Sequence, residues 1–305
     1  MLRLFCHDIA TERKLIMNTY SIKSHNIYLQ VYALENIQAK TAVLFLHGGP
    51  GSGAMPVIEL PAFQAFEKDY LCLHFDQRGS GKSNYDLKEG LPIELITDDV
   101  LAVVKDSKER YNFTSLFLWG GSFGGCLASL CMERFPSEFN GVILSSPAIT
   151  FSREQALDSY KRMSAPYQKR MDPSMQNELQ PLDDPTPEAF FSLSKVRDFI
   201  FSPQNTISSI QHIAAMSSWF FNHVFPHLFD EASIPTLILQ GKEDPICLYQ
   251  NIDQQINMTS NKLIQYHLLE ACGHAVFEDQ KEIFIDLIKT FIEDTLSASS
   301  PSIQS

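Results

Sequence analysis

Residues 116–135 read LFLWGGSFGGCLASLCMERF, and this stretch decides the fold. The apolar run over 115–119 predicts a buried strand, and the pattern over 123–135 predicts a helix. Residues 120–125, GGSFGG, form the turn between the two elements. A strand that passes through a tight turn directly into a helix is typical of a sheet whose strands are joined by helical crossovers.

Ser122 lies in the middle of that turn, as in the nucleophile elbow G-x-S-x-G. The chain turns so tightly only where the positions two residues either side are small, and Gly120 and Gly124 fill them. The turn projects the serine hydroxyl outward, while the N–H of Phe123 opens the helix and points at a developing oxyanion. Ser122 is therefore the candidate nucleophile and Phe123 a candidate oxyanion donor; the alternative is a tight turn with a solvated serine.

Strands and helices alternate on both sides of this unit, which predicts an α/β fold with a mainly parallel sheet and helices on both faces. Continuous apolar runs such as AVLFL at 42–46 suit strands that are buried on both faces of a sheet. The other predicted strands are 27–33, 71–75, 141–145, 236–239 and 263–268, and the other predicted helices are 93–110, 248–256 and 278–296.

Residues 149–231 interrupt this rhythm. The segment is polar and contains prolines around 172–187, then becomes rich in aromatic residues, and it has no clean apolar strand. It predicts a helical cap inserted into a core formed by 17–148 and 232–296. The Ser-rich end, 297–305, predicts a disordered tail.

A second glycine-rich loop, HGGPG at 47–51, follows the strand predicted at 42–46. Such a loop brings a backbone N–H close to a substrate oxygen, and Gly49 is the candidate for the second oxyanion donor. Each such donor contributes ~3 kcal/mol of transition-state stabilisation. The loop also contains His47, which is expected to be structural and not catalytic.

The catalytic base is sought late in the chain, because the triad of this turn type follows the order serine, acid, histidine. Nine histidines compete for the role. His274 follows Ala-Cys-Gly at 271–273, between the strand at 263–268 and the helix at 278–296. Catalytic groups of open α/β sheets lie on such loops at the carboxyl ends of strands, so His274 is the candidate base.

The acid is expected after the preceding strand, 236–239, where Glu243 and Asp244 both qualify. We favour Asp244, because its shorter side chain before a proline is held more rigidly. It would fix the imidazole tautomer and stabilise the imidazolium. In this hypothesis His274 takes the proton of Ser122, the serine attacks a carbonyl, and water later clears the acyl-enzyme.

The composition limits the classes of binding partner that the chain is expected to have. Twenty-four basic and 36 acidic residues give a net charge of −12, and no Lys/Arg run stands out, which argues against nucleic acid and anionic membranes. Six cysteines lack C-x-x-C or zinc spacing, so buried reduced thiols in a cytoplasmic protein without a metal are expected. The first residues are too short for a signal-peptide core, and either Met1 or Met17 fits the biological start.

Three motifs carry a resemblance: HGGPG at 47–51, DQRGSGKS at 76–83 and GGSFGG at 120–125. On these the chain resembles the proline iminopeptidase group of α/β-hydrolases. Two further segments, GKED at 241–244 and CGHAVFE at 272–278, look like the acid and histidine segments of the same family. The resemblance implies an α/β-hydrolase fold with a cap over the site and no metal or organic cofactor. It also implies release of N-terminal residues, especially proline, from short peptides.

The cap departs from the family's pattern. True aminopeptidases of the group usually have a Trp-Glu pair there, whose glutamate helps hold the substrate amine, but Trp219 is followed by Phe220. A buried amine needs a carboxylate partner. Glu154, Glu178 and Glu188 are the cap candidates, and we take Trp219 and Glu188 as the substrate-binding pair.

Two alternatives stay open: hydrolysis of a small carboxylic ester, lactone or amide by the same residues, and a ligand-binding protein without turnover. The substrate is expected to be a small molecule or short peptide, and the oligomeric state is open. Asp76 and Arg78 are typical of the family and are expected to brace the loop beside the site.

Overall fold

An eight-stranded sheet organises the chain, in the order β1-β2-β4-β3-β5-β6-β7-β8. This computed structural model describes residues 17–34, 36, 38–168 and 203–299. The strands β4, β3, β5, β6, β7 and β8 pair in parallel with their neighbours. At the edge, β1 pairs with β2 and β2 with β4 in antiparallel fashion. The strands are β1 (Met17–Ser24), β2 (Ile27–Leu34), β3 (Thr41–Leu46), β4 (Leu71–Phe75), β5 (Ser115–Gly121), β6 (Gly141–Ser145), β7 (Thr236–Gly241) and β8 (Ile264–Leu269).

Helices cover both faces of the sheet, as predicted. In β3, Leu44 packs into one core with α3 and α4, whereas Val43 and Phe45 pack into a second core with α2 and α11. Because both faces are covered, β3 is apolar at consecutive positions. The helices are α1 (Met55–Ile58), α2 (Pro61–Gln64), α3 (Ile93–Tyr111), α4 (Phe123–Arg134), α5 (Arg153–Gln168), α6 (Pro203–Ala215), α7 (Ser217–Asn222), α8 (Leu228–Glu231), α9 (Tyr249–Ile256), α10 (Val276–Asp279) and α11 (Lys281–Ser299).

The last helical region differs from the prediction of a single helix over 278–296. It is two helices, α10 and α11, because Gln280 leaves the helical conformation at φ −129° and ψ 48°. The carbonyl of Gln280 then accepts the N–H of Phe284 at 2.8 Å at the start of α11. Helix α11 runs to Ser299, so the predicted disorder is wrong for 297–299; residues 300–305 lie outside the described ranges.

Between β6 and β7 the described residues of the insertion form α5, α6, α7 and α8 and contain no strand. The two glutamates Glu178 and Glu188 lie in 169–202, outside the described residues. None of the described helices is both long and apolar enough to cross a lipid bilayer.

A buried ion pair ties the loop after β4 to α3. Arg78 Nε and Nη2 donate to the two carboxylate oxygens of Asp99 at 2.9 and 2.7 Å, and neither side chain is exposed. The hydroxyl of Ser24 donates to the same carboxylate. Burial raises the pKa of Asp99, and the hydrogen bonds from Arg78 and Ser24 oppose that shift. Arg78 therefore braces its loop against the helix, as expected from the sequence.

Replacing Asp99 with asparagine is expected to lower the free energy of unfolding by about 3–5 kcal/mol, because it leaves the buried guanidinium of Arg78 without its counter-charge. Urea denaturation measures the loss. The matched control is Asp106→Asn, since the pair of Asp106 with Arg110 is solvent-exposed and contributes about 0.5 kcal/mol at most. Equal losses in both variants would contradict the bracing role of Asp99.

Candidate active site

Ser122 adopts a strained backbone conformation at the junction of β5 and α4, with φ 54° and ψ −122°. Its N–H donates to the carbonyl of Ser145 at 3.0 Å, which anchors the turn to β6. Its own carbonyl accepts the N–H groups of Gly125, Cys126 and Ala148 at 2.9, 3.2 and 2.9 Å. Four backbone hydrogen bonds therefore hold a conformation that L-residues seldom adopt.

The glycines around the serine are required by close packing of backbone. A Cβ on Gly120 would collide with the carbonyl of Gly124, and a Cβ on Gly124 would collide with the carbonyl of Leu46 at the end of β3. The first turn of α4 can lie this close to β5 and β3 only without side chains at these positions. The prediction of small residues at both places is confirmed.

The HGGPG loop lies directly against the serine. A Cβ on Gly48 would lie 3.3 Å from the Cβ of Ser122. Gly49 follows with φ +114° and precedes a cis peptide bond to Pro50. Phe123 is the first residue of α4, so its N–H has no acceptor within the helix. Of the two predicted oxyanion donors, Gly49 thus belongs to the loop that touches Ser122, and Phe123 directly follows Ser122 in the chain.

His47 has a structural environment. Its Nε2 accepts the backbone N–H of Gln77 at 3.1 Å, and its Nδ1 lies 2.9 Å from the carbonyl of Gly48. The side-chain amide of Gln77 donates to the carbonyl of His47 at 2.7 Å. Burial lowers the pKa of His47 to about 4, so the ring is neutral at pH 7. It joins the HGGPG loop to the loop after β4, in agreement with the sequence interpretation.

Asp244 and His274 form a buried pair. Nδ1 of His274 lies 2.8 Å from Oδ2 of Asp244, with only 9% of the histidine and 3% of the aspartate exposed. The other carboxylate oxygen accepts the N–H groups of Ile246 and Cys247 at 2.9 and 3.0 Å, which fixes the direction of the carboxylate. When the Nδ1–H of an imidazole donates to a carboxylate in this way, Nε2 is the ring nitrogen that can accept a proton.

The loops that carry the pair are joined to each other. A Cβ on Gly241, at the end of β7, would collide with the carbonyl of Gly273, so the histidine loop lies against this glycine. The N–H of Glu243 donates to the carbonyl of Cys272 at 2.8 Å, while the side chain of Glu243 is exposed. Of the two acids that the sequence left open, the one in contact with His274 is Asp244.

Among the described residues, Asp244, Cys247 and His274 offer three potential metal ligands within 4.8 Å of one another. The oxygen and nitrogen of two of them are already hydrogen-bonded to each other. Burial raises the pKa of Cys247 well above its usual value, which disfavours the thiolate that metals bind. These features favour a proton-transfer site over a metal centre.

Trp219 lies in the wall of a small cavity of about 20 Å³, room for about one water molecule. Its ring stacks on His223 with the centroids 4.6 Å apart, and the ring of the next residue, Phe220, lies 5.8 Å from that of Phe123. The described wall contains no carboxylate; it consists of Cys126, Ala148, Thr150, Ala156, Ser159, Trp219, Phe220, His223 and Phe225. The cavity adjoins the nucleophile turn, because two wall residues donate backbone hydrogen bonds to Ser122.

The glutamates predicted to hold an amine are not brought to this cavity by any described contact. Glu154, at the start of α5, is exposed. Glu178 and Glu188 lie outside the described residues, so Trp219 is the member of the predicted substrate-binding pair whose position is described.

Sequence reasoning missed two residues of the insertion that touch the site loops. Ser208 Oγ on α6 donates to the carbonyl of Gly51 at 2.8 Å. Nε2 of His212, one turn later, lies 3.1 Å from the carbonyl of Arg78. Their spacing of four residues is a signal of a shared helix face, but the sequence gives no sign of the loops that this face meets.

The three candidate side chains all follow carboxyl ends of parallel strands: Ser122 after β5, Asp244 after β7 and His274 after β8. Such loops meet at one edge of an open α/β sheet, where ligands of this fold class bind. The sheet order, the helical insertion after β6 and the serine turn define an α/β-hydrolase.

The profile of the serine aminopeptidase family, S33, matches residues 37–281. The chain belongs to this family and is a serine hydrolase. It is 25% identical over 293 residues to a proline iminopeptidase of Thermoplasma volcanium, covering 88% of this chain and 94% of the relative.

Two solved structures show the same fold at lower identity. An esterase of Exiguobacterium antarcticum superposes with a TM-score of 0.66 at 18% identity, covering 90% of this chain and 100% of the esterase. A proline iminopeptidase of Mycobacterium smegmatis gives a TM-score of 0.62 at 14% identity, with 92% and 100% covered.

Proposed function

We propose that the protein hydrolyses carbonyl substrates through an acyl-enzyme, with Ser122 as nucleophile, His274 as base and Asp244 as the acid that orients the base. The hydrogen bond of 2.8 Å between His274 and Asp244 is the observation that carries the proposal. It leaves Nε2 of the ring as the proton acceptor, and the carboxylate stabilises the imidazolium that forms.

In the acylation step, the hydroxyl of Ser122 gives its proton to Nε2 of His274 while its oxygen bonds to the substrate carbonyl carbon. The N–H groups of Gly49 and Phe123 receive the negative oxygen of the tetrahedral intermediate. The imidazolium then protonates the departing amine or alcohol as the bond to the carbonyl carbon breaks. Water attacks the acyl-enzyme with the same base, which releases the acid and restores the serine.

The substrate we propose is a short peptide with a free N-terminus, from which the enzyme releases the first residue, especially proline. Support comes from the three motifs and two further segments of the chain and from its similarity to a protein named proline iminopeptidase over nearly its full length. The free amine would need a carboxylate partner in a closed pocket. We assign that role to Glu188 and the apolar contact with the substrate ring to Trp219.

A second candidate is the hydrolysis of a small carboxylic ester, lactone or amide. The observation that favours it is the cavity beside the nucleophile turn, whose described wall is mainly apolar and aromatic and has no carboxylate. A neutral acyl group next to a wall of this chemistry needs no buried countercharge, whereas an ammonium group does.

Three chromogenic substrates separate these functions: prolyl 4-nitroanilide, its N-acetylated form and 4-nitrophenyl butyrate. An aminopeptidase is expected to cleave the first with a kcat/KM at least about 100-fold higher than the second, since removal of one buried charge contact costs about 3 kcal/mol. Glu188→Gln would then raise KM for the free amine, with the exposed Glu154→Gln as its control.

Cleavage of the butyrate ester alone, or equal cleavage of the free and acetylated anilides, would overturn the aminopeptidase assignment in favour of the second candidate. Activity on all three substrates that persists in Ser122→Ala would contradict both functions, because both depend on the same serine.

A further inference from the structure

One helix of the insertion contacts both loops that surround the nucleophile. Ser208 and His212 lie one turn apart on α6, and we call this pair the α6 latch. Ser208 Oγ donates to the carbonyl of Gly51, in the HGGPG loop, at 2.8 Å. Nε2 of His212 lies 3.1 Å from the carbonyl of Arg78, in the loop after β4, and only 2% of this histidine is exposed.

The side chains of the α6 latch also pack closely against glycines of both loops. A Cβ on Gly51 would lie 2.9 Å from Ser208 Oγ and within the contact radius of the His212 ring, and a Cβ on Gly79 would lie 2.9 Å from Nε2 of that ring. Both glycines have positive φ, 91° and 82°. Glycine is therefore required at both positions by conformation and by the approach of the histidine ring.

Nδ1 of His212 lies 2.8 Å from the carbonyl of Ser208, one turn earlier, and Nε2 lies 3.1 Å from the carbonyl of Arg78. Burial lowers the pKa of His212, which favours the neutral ring, and a neutral ring has one N–H. With that proton on Nε2 the ring donates to the carbonyl of Arg78, and its close approach to Gly51 and Gly79 holds it in place.

The two loops also hold each other. Oδ1 of Asp76 accepts the N–H of Ala54 at 2.8 Å, and Oδ2 of Asp76 accepts the hydroxyl of Tyr32 at 2.9 Å and the N–H of Lys82 at 2.8 Å. Displacement of either loop from α6 is therefore transmitted to the other. Gly49, the proposed oxyanion donor, lies two residues before the carbonyl that Ser208 holds.

We propose that Ser208 and His212 are positioning residues that aim the Gly49 N–H at the substrate oxygen, so that the cap helix α6 completes the oxyanion hole. This inference rests on the proposed function. While Ser208 and His212 hold the two loops, the Gly49 N–H has a fixed direction. When their hydrogen bonds are lost, the direction of this N–H is no longer fixed. A donor displaced by a fraction of an ångström loses much of its transition-state stabilisation, whereas ground-state substrate binding is little changed.

His212→Phe tests the inference, because phenylalanine keeps a planar ring between Gly51 and Gly79 but has no N–H. We expect kcat to fall about 10–100-fold with KM changed less than about 3-fold, as for partial loss of one oxyanion donor. His212→Gln restores a donor near the position of Nε2 and is expected to recover most of kcat. Ser208→Ala is expected to lower kcat about 3–10-fold, the effect of one neutral hydrogen bond.

The matched control is Gln211→Ala, since Gln211 is exposed on the same helix and is expected to leave kcat unchanged. Each kcat is divided by the fraction of enzyme that a fluorophosphonate labels at completion, which removes unfolded protein from the comparison. A boronic acid whose tetrahedral adduct occupies the oxyanion hole is expected to bind more weakly by the same factor as kcat. The carboxylic acid product is expected to bind with unchanged affinity.

A rise in KM with kcat and boronate affinity unchanged would overturn the positioning role, because it would mean that α6 only shapes the substrate pocket. Wild-type kinetics in both His212→Phe and Ser208→Ala would also overturn it. In either case loss of activity in Ser122→Ala would leave the proposed function intact, whereas full activity in Ser122→Ala would reject the proposed function itself.

Discussion

Replacing Ser122 with alanine is expected to lower kcat by about 10⁶-fold on any substrate that the enzyme cleaves. Alanine keeps the Cβ and the backbone conformation of the turn, including the hydrogen bond of 3.0 Å from the N–H of residue 122 to the carbonyl of Ser145. Only the hydroxyl is removed, so the proposed oxyanion donors, Gly49 and Phe123, remain. They are expected to retain a rate of about 10³–10⁴ over the uncatalysed reaction in water.

A fluorophosphonate probe provides a second readout that does not depend on the substrate. It is expected to label the wild-type enzyme on the peptide that contains Ser122, and mass spectrometry locates the adduct. Ser129→Ala is the matched control, because Ser129 is a buried serine of the same helix whose hydroxyl donates to the carbonyl of Gly125 at 2.9 Å. It is expected to lose about 1 kcal/mol of stability and none of its labelling.

In the proposed mechanism the three side chains act as one unit, so the effects of replacing them are not expected to be additive. The double variant Ser122→Ala/His274→Ala is expected to have the same kcat as Ser122→Ala, because the histidine has no proton to move once the hydroxyl is absent. A kcat about 10-fold or more below that of Ser122→Ala would mean that His274 has a role apart from the serine.

The sequence allowed the sheet and the site loops to be predicted because their signals are local. A parallel strand buried on both faces must be apolar at consecutive positions, so 42–46 and 71–75 were recognisable, and the observed β3 and β4 match them closely. The serine turn was recognisable because a strained turn tolerates only glycine at 120 and 124. The collision that requires glycine at 120 lies within the turn, with the carbonyl of Gly124, whereas glycine at 124 is also required by the carbonyl of Leu46 on β3.

Features that depend on solvent exposure or on distant contacts were harder to predict. Strand β1 begins at Met17, but its first residues are exposed, so they do not alternate between apolar and polar. The break between α10 and α11 is a change of backbone angles at Gln280, a residue with no strong preference against the helix. The α6 latch is a contact between residues more than 100 positions apart, and no local pattern encodes it.

The choice of Asp244 over Glu243 as the acid could be predicted only in part from the sequence. The sequence placed both after the same strand, and side-chain length before a proline favoured the aspartate. The structure separates them by burial: Asp244 accepts two backbone N–H groups and lies against His274, whereas Glu243 is exposed. A one-residue shift along this loop reverses which side chain faces the histidine, and only tertiary contacts determine that register.

Asp244→Asn is expected to lower kcat by about 10⁴-fold without loss of folding. The amide oxygen still accepts the N–H groups of Ile246 and Cys247, so the loop keeps its shape. The amide nitrogen replaces the carboxylate oxygen that lies 2.8 Å from Nδ1 of His274. Because that nitrogen is a donor, the ring must accept at Nδ1 and carry its proton on Nε2, where it can no longer take the proton of Ser122.

Thermal melting and kinetics together separate this tautomer effect from structural damage. The melting temperature of Asp244→Asn is expected to stay within a few degrees of wild type, whereas Asp244→Ala leaves two buried N–H groups without an acceptor and is expected to lose about 2 kcal/mol or more. Glu243→Gln makes the same chemical change at an exposed neighbour and is expected to leave kcat unaltered. The change of charge is equal in Asp244→Asn and Glu243→Gln, so only contact with His274 distinguishes the two variants. A larger fall in kcat for Glu243→Gln would therefore show that Asp244 is not the acid.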